Sequence, residues 1–238
     1  GWHYGFGCAG VVMVIGLLLY LRATPYLPAD KPRARPAAGA KPKSFEPGDG
    51  ARIFAIVLLI PALAVSLLPN QEMGNAYLVW ADQHFQLTYG GFRMPTTWLI
   101  SFDSIVSFVT LVGITWFWKW CAESGHWEPD ELGKLIIGSV FAIIGALCLY
   151  FGALTQGAGK SSLLWPALFH FFNDMGFGHI LPVSLALVSK ISPRRMLATS
   201  VGIYYLSFFL ANYVVGVVGG WYSTMATPQF WLAHVADR

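Results

Sequence analysis

Charge is what this sequence has least of. Only 11% of its 238 residues are Asp, Glu, Lys or Arg, against about 25% in an ordinary soluble domain. A soluble chain of this length with so few charges cannot cover its own surface. Cysteine is scarce as well: Cys8, Cys121 and Cys148 are far apart and odd in number, which excludes a disulfide framework and a zinc spacing. No HExxH, Cys-x-x-Cys or GxSxG occurs, and no charged n-region with a cleavage site opens the chain. What is present is apolar: 55% of residues are hydrophobic and 16% aromatic, with a mean hydropathy of +0.55. This composition excludes a soluble globular enzyme, a disordered chain and a collagen-like fibre. It predicts an all-α polytopic membrane protein, in which ten tryptophans suit many membrane–water interfaces. The chain begins at Gly1 beside an apolar run and is expected to be a fragment of a longer protein.

A membrane span needs about 20 mostly apolar residues. Six stretches qualify: Tyr4–Leu21, Ile53–Tyr77, Thr96–Trp118, Leu135–Leu154, Leu163–Ser189 and Leu197–Tyr222. The second is interrupted by Pro61 and again by Pro69-Asn70-Gln71-Glu72. Between the first and second lies Pro25 to Gly50, rich in Pro, Ala, Gly, Lys and Arg and without apolar periodicity, which reads as a flexible linker. The expected organisation is one span over 1–21, a linker over 22–52 and a five-span body over 53–238. Basic residues set the orientation. All of the 15 Lys and Arg except Arg93, Lys160 and Arg238 fall on one set of alternate loops. Residues 1 and 238 are therefore expected on the outer side and the linker in the cytoplasm. The net charge of +3 follows from topology and asks for no nucleic-acid partner.

Several motifs fail on context. Gly5-Phe6-Gly7-Cys8-Ala9-Gly10 matches a dinucleotide fingerprint by letter, but it opens a membrane span and follows no strand. Gly159-Lys160-Ser161 resembles the end of a phosphate-binding loop whose first glycine position is Leu154. Gly216 and Gly220 form a small-xxx-small pair suited to helix packing.

Ionisable groups at membrane depth are costly and mark function by default. Asp103 lies on one face of the third span with Thr96, Ser107 and Thr110. His170, Asn173, Asp174 and Phe177 share an arc of about 100° on the fifth, while His179 points nearly opposite His170 and reads as a packed histidine. The sixth carries Ser200, Tyr204 and Ser207 at helical spacing. Asp103 and Asp174 are both negative and at similar depth, and no Lys or Arg is firmly inside a span. A buried carboxylate is protonated or paired. Its partner is therefore a proton, a cationic group of a solute, or a basic residue of a missing segment. That is the logic of a proton-coupled transporter.

The residues also carry a resemblance. Gly1-Trp2-His3-Tyr4-Gly5-Phe6-Gly7 resembles the entry to the sixth span of the proton-dependent oligopeptide transporter (POT) family of the major facilitator superfamily. Phe172-Asn173-Asp174-Met175-Gly176, Pro182 and Leu187-Val188-Ser189-Lys190-Ile191-Ser192-Pro193-Arg194 resemble its tenth span. Gly202-Ile203-Tyr204-Tyr205-Leu206-Ser207 with Asn212 resembles its eleventh. The resemblance implies that the chain covers spans six to eleven of a twelve-span transporter. It also implies a peptide site between the two halves and a divergent member. The tenth-span glutamate that holds the peptide amino group, just after the glycine matching Gly176, is replaced by Phe177. The eighth-span asparagine is matched by Asp103 and the eleventh-span tryptophan by Tyr204.

The expected function is a proton-coupled symporter of oligopeptides or peptide-like solutes in the inner membrane, and not an enzyme. Asp103, Asp174, Asn173, Phe177, Tyr204 and Ser107 are the candidate substrate-binding residues. Asp103, Asp174 and His170 are the candidates for proton coupling. Substrate, protons, the lipid bilayer and the missing N-terminal half are the expected partners, with no cofactor and no metal. Three rivals stay open: a different small solute on the same fold, an intramembrane enzyme using Asp103 and Asp174 as a pair, and a purely structural membrane subunit.

Overall fold

The computed structural model describes residues 2–27, 45–157, 159–193 and 195–236. Most of the expected linker, residues 28–44, lies outside the described residues. The chain forms two compact units, Gly1–Ser44 and Phe45–Arg238. The first holds helix α1 (Trp2–Ala23) and a single 3₁₀ turn, Thr24–Tyr26. Arg22 stands in the last turn of α1, where a cation meets the negative end of the helix dipole.

The second unit contains α2 (Asp49–Glu72), α3 (Ala76–His84), a hairpin of β1 (Thr88–Tyr89) and β2 (Phe92–Arg93), α4 (Trp98–Glu123), α5 (Glu131–Gln156), α6 (Leu164–Ile191), α7 (Leu197–Tyr204), α8 (Leu206–Trp221) and α9 (Thr227–Ala236). With α2 and α3 counted together, and α7 and α8 likewise, six helices are long and apolar enough to cross a membrane. Helices satisfy their own backbone hydrogen bonds, which lipid cannot do. The fold is therefore all-α and polytopic, with the six spans where the apolar runs place them.

Helix α6 is the hub, packed against α5 most extensively and also against α4, α2 and α7. Its contact with α5 is made by small residues. A Cβ on Gly176 would sit 2.7 Å from the Gly138 carbonyl oxygen and 3.0 Å from Ala142, and one on Gly145 would sit 3.0 Å from the Asn173 backbone nitrogen. Lipid tails are as apolar as leucine, so close backbone approach replaces hydrophobic drive as the source of helix association. The pair expected to pack, Gly216 and Gly220, has open space where a Cβ would stand; on α8 the tight position is Gly219, against Asn75.

Two spans are broken, and both breaks have local causes. Between α2 and α3 the chain turns at Met73–Asn75. Glu72 Oε1 accepts the Ala76 N–H at 3.1 Å, satisfying a first-turn donor of α3. Asn75 donates to the Val215 carbonyl at 3.1 Å and ties the break to α8. At Tyr205 the span divides into α7 and α8, beside Ser207, whose hydroxyl donates to the Tyr204 carbonyl at 2.7 Å and competes with the helix ladder.

Two elements go beyond the expected spans. In the hairpin, Gly90 (φ 56°) and Gly91 (φ 85°) fill the left-handed positions of a two-residue turn. Helix α9 packs on α5 and buries Phe230, Trp231 and His234.

Candidate functional site

The apolar runs that make α4 and α6 cross a membrane also fix where their few polar side chains go. Asp103 on α4 and His170 on α6 meet: Asp103 Oδ1 lies 2.8 Å from His170 Nδ1. The other imidazole nitrogen, Nε2, lies 2.8 Å from the hydroxyl of Tyr77 on α3. His170 is fully buried and the Asp103 side chain retains 15% exposure. Phe102, Phe169 and Tyr77 surround the imidazole with ring centroids 5.2–5.7 Å away. Three helices thus meet in a carboxylate–imidazole–phenol chain walled by aromatic rings.

Asp174 is one turn further along α6 and buried. Asp103 and Ser107 from α4, with the adjacent Asn173, are the polar groups around it. Neither carboxylate oxygen makes a well-formed hydrogen bond with a described residue. Leaving a buried charge unpaired is among the costliest arrangements in a protein. The cluster therefore has an unfilled electrostatic demand: two carboxylates, one imidazole and, among the described residues, no Lys or Arg paired with them.

The remaining candidates divide. Ser107 is half-buried on α4, facing Asp174. Asn173 is buried against Gly145, and its Nδ2 has no hydrogen-bond partner. Phe177 is half-buried and packs on the apolar cluster of Ala64, Leu67, Leu68, Ala211 and Val215 between α2 and α8. Tyr204 is buried away from this cluster, with its hydroxyl 3.1 Å from that of Ser184. The opposite face of α6 differs. His179 Nδ1 donates to the Met175 carbonyl at 2.7 Å and Nε2 accepts from Trp118 at 3.1 Å, in an apolar groove of about 520 Å³ between α4, α5 and α6.

Three groups escape a reading of the sequence. Tyr77 follows a proline-broken stretch and carries no periodic signal. Glu72 in that stretch is fully buried, and its Oε2 lies 3.9 Å from Nε2 of His234 on α9. His234 Nδ1 lies 2.9 Å from the Phe230 carbonyl. Glu72 and His234 thus make a second buried acid–imidazole pair, between residues 162 positions apart in sequence.

No protein-family model matches the chain. It is similar to the peptide transporter YePEPT of Yersinia enterocolitica, with 24% identity over 176 residues, 72% of this chain and 34% of the relative. It is also similar to the uncharacterised transporter YclF of Bacillus subtilis, with 25% identity over 168 residues, 70% of this chain and 34% of the relative. The chain therefore spans about a third of the length of these curated relatives. Among solved structures it superposes on a peptide transporter POT variant in complex with alafosfalin with a TM-score of 0.70 and 18% identity, covering 97% of this chain and 45% of that one. It superposes on a POT family transporter in complex with 5-aminolevulinic acid with a TM-score of 0.66 and 17% identity, covering 98% and 51%. The chain shares the fold of these POT transporters, and the likeness in structure covers nearly all of it.

Proposed function

We propose that the chain forms the sixth to eleventh spans of a proton-coupled symporter that carries peptides or peptide-like solutes across the inner membrane. In this reading residues 1–21 end the N-terminal half, 22–52 form a cytoplasmic linker and 53–238 belong to the C-terminal half. The observation that carries it is the Asp103–His170–Tyr77 chain beside the unpartnered Asp174. A second support is the similarity to YePEPT, whose name is that of a peptide transporter.

The chemistry runs as follows. With both aspartates ionised and His170 neutral, the buried cluster carries two negative charges. One proton on the Asp103–His170 pair and one on Asp174 make it neutral, as does a proton and the ammonium group of a solute. With one cation bound the cluster still carries a buried negative charge and only with both is it neutral, so the site can close over its cargo when proton and solute are present together. Asp174, enclosed between α4 and α6, suits a proton. Asp103, with its exposed edge, suits the solute. A hydrolytic carboxylate pair would need both acids free to hold one water, and Asp103 Oδ1 is committed to His170. Phe177 supports a second reading, a different small solute on the same fold, because an apolar ring stands where the family keeps a carboxylate.

The test uses the whole transporter in liposomes with a pH gradient, acidic outside. Asp174→Asn is expected to abolish accumulation of a labelled dipeptide while retaining solute counterflow, which needs binding and conformational exchange but no net proton movement. Full accumulation by both Asp174→Asn and His170→Gln would remove the cluster from the coupling mechanism. Accumulation of a non-peptide solute alone would favour the second reading.

A further inference from the structure

The Tyr77 hydroxyl can donate to Nε2 of His170 or accept from it, and it comes from a third helix. We infer that Tyr77 is the positioning residue that stabilises the coupling proton on Nε2 of His170 and ties that protonation to α3. This rests on the reading of Asp103 and His170 as a proton-binding pair.

The two nitrogens of His170 have different partners. Asp103 is an acceptor when ionised, so Nδ1 of His170 keeps its hydrogen and donates to Oδ1 across 2.8 Å. The neutral ring then has its lone pair at Nε2, and Tyr77 donates to it across 2.8 Å. An incoming proton must therefore land on Nε2, the only basic nitrogen left. Once it does, Nε2–H donates to the phenol oxygen and the Tyr77 hydrogen has to leave the line between them. Protonation on α6 thus changes the role of a side chain on α3, next to the break at Met73–Asn75.

The surroundings isolate this exchange. The titratable groups facing His170 are Tyr77 from α3 and Asp103 from α4, with Asp174 on α6 itself. Helix α5 meets this stretch of α6 with Ala142 and Gly145. Helix α2 meets α6 through Ile56 and Leu63 beside Ile180 and Val188, and through Leu67 and Leu68 beside Phe177. From α7, Tyr204 reaches α6 at Ser184, about 20 Å along the helix from His170. Tyr77 is held by its ring, at 5.4 Å from Phe169 and 5.8 Å from Phe85, so removing the hydroxyl leaves the packing in place.

The sign of the effect follows. In Tyr77→Phe the neutral ring loses an acceptor bond at Nε2, and the protonated ring loses a charge-assisted donor bond, which is about twice as strong. Protonation becomes harder, so proton-driven uptake should fall off at a more acidic pH than in the wild type. The midpoint is expected to move down by roughly half to one pH unit. It is to be read twice on the whole transporter: from uptake against external pH in liposomes, and from the ¹⁵N imidazole signal of His170 in purified protein, which requires no transport. A downward shift in the imidazole midpoint supports the assignment. An unchanged or raised imidazole midpoint overturns it. A His170→Gln variant that keeps wild-type coupling and pH profile would overturn the proton-binding reading itself. Loss of coupling in His170→Gln with an unmoved Tyr77→Phe midpoint would refute the role of Tyr77 alone.

Discussion

Helix α6 carries two buried histidines whose partners differ in kind. His179 is closed on both sides: Nδ1 donates to a backbone carbonyl and Nε2 accepts from Trp118. An indole N–H can only donate, so a second proton on His179 would put two donors face to face. His170 instead has a carboxylate on one nitrogen and a hydroxyl on the other. Both partners can accept, so a doubly protonated ring keeps both hydrogen bonds. Residue type, helix and burial are shared; the partners alone differ, and in the proposed reading they make one ring a fixed strut and the other a place for a proton. The helix makes the division possible, since the two side chains leave it on nearly opposite sides.

The sharpest way to break this comparison is to give both positions the same substitution. His170→Gln is expected to lower accumulation about 10- to 100-fold, the range set by losing hydrogen bonds to a buried charged group. His179→Gln should retain accumulation, because a glutamine carbonyl can still accept from Trp118. Similar losses at both positions in liposome uptake would end the distinction.

A second change acts between them. Gly176 lies where α5 comes closest, and Gly176→Val would drive methyl groups into the Gly138 carbonyl and Ala142. The expected cost is about 1–3 kcal/mol or more from overpacking, measured as a lower unfolding midpoint in detergent. Accumulation should fall with it, since the His170 site lies on the same crossing. A smaller effect is expected from Trp118→Phe. It removes the donor to His179 Nε2 at a cost of about 1 kcal/mol, with uptake and its pH profile as in the wild type. A changed pH profile would bring His179 into the coupling machinery.

The spans were legible because a membrane imposes them. Runs of apolar residues near 20 long have few other uses, and each of the six long apolar helices overlaps the stretch expected. The breaks were less visible. Pro61 and Pro69 sit inside α2 without dividing it, and the division falls after Glu72, where a side chain replaces a backbone partner. Tyr205 marks the other break with no proline at all. The Gly90-Gly91 turn and α9 are local features with short signals.

Of the site, Asp103, His170 and Asp174 stood out as ionisable residues in apolar runs. What the sequence withheld was their pairing. Charge alone calls for a proton, a cationic group of a solute or a basic residue of a missing segment, whereas Asp103 also meets an imidazole of the same chain. Tyr77 and Glu72 were hidden by the proline-broken stretch around them. Glu72 and His234 are brought together only by the packing of α9. Tyr204 sat at helical spacing with Ser200 and Ser207, and spacing alone could not say that its hydroxyl turns toward Ser184.

The central claim is that His170 takes up a proton in use and His179 does not. The direct measurement is a ¹⁵N imidazole titration of the whole transporter labelled at histidine, with the two signals assigned through His170→Gln and His179→Gln. The account predicts that the His170 signal passes from charged to neutral over the range of pH in which uptake declines, while the His179 signal does not move. A His170 signal that does not move across that range, or a His179 signal that titrates in its place, would contradict it.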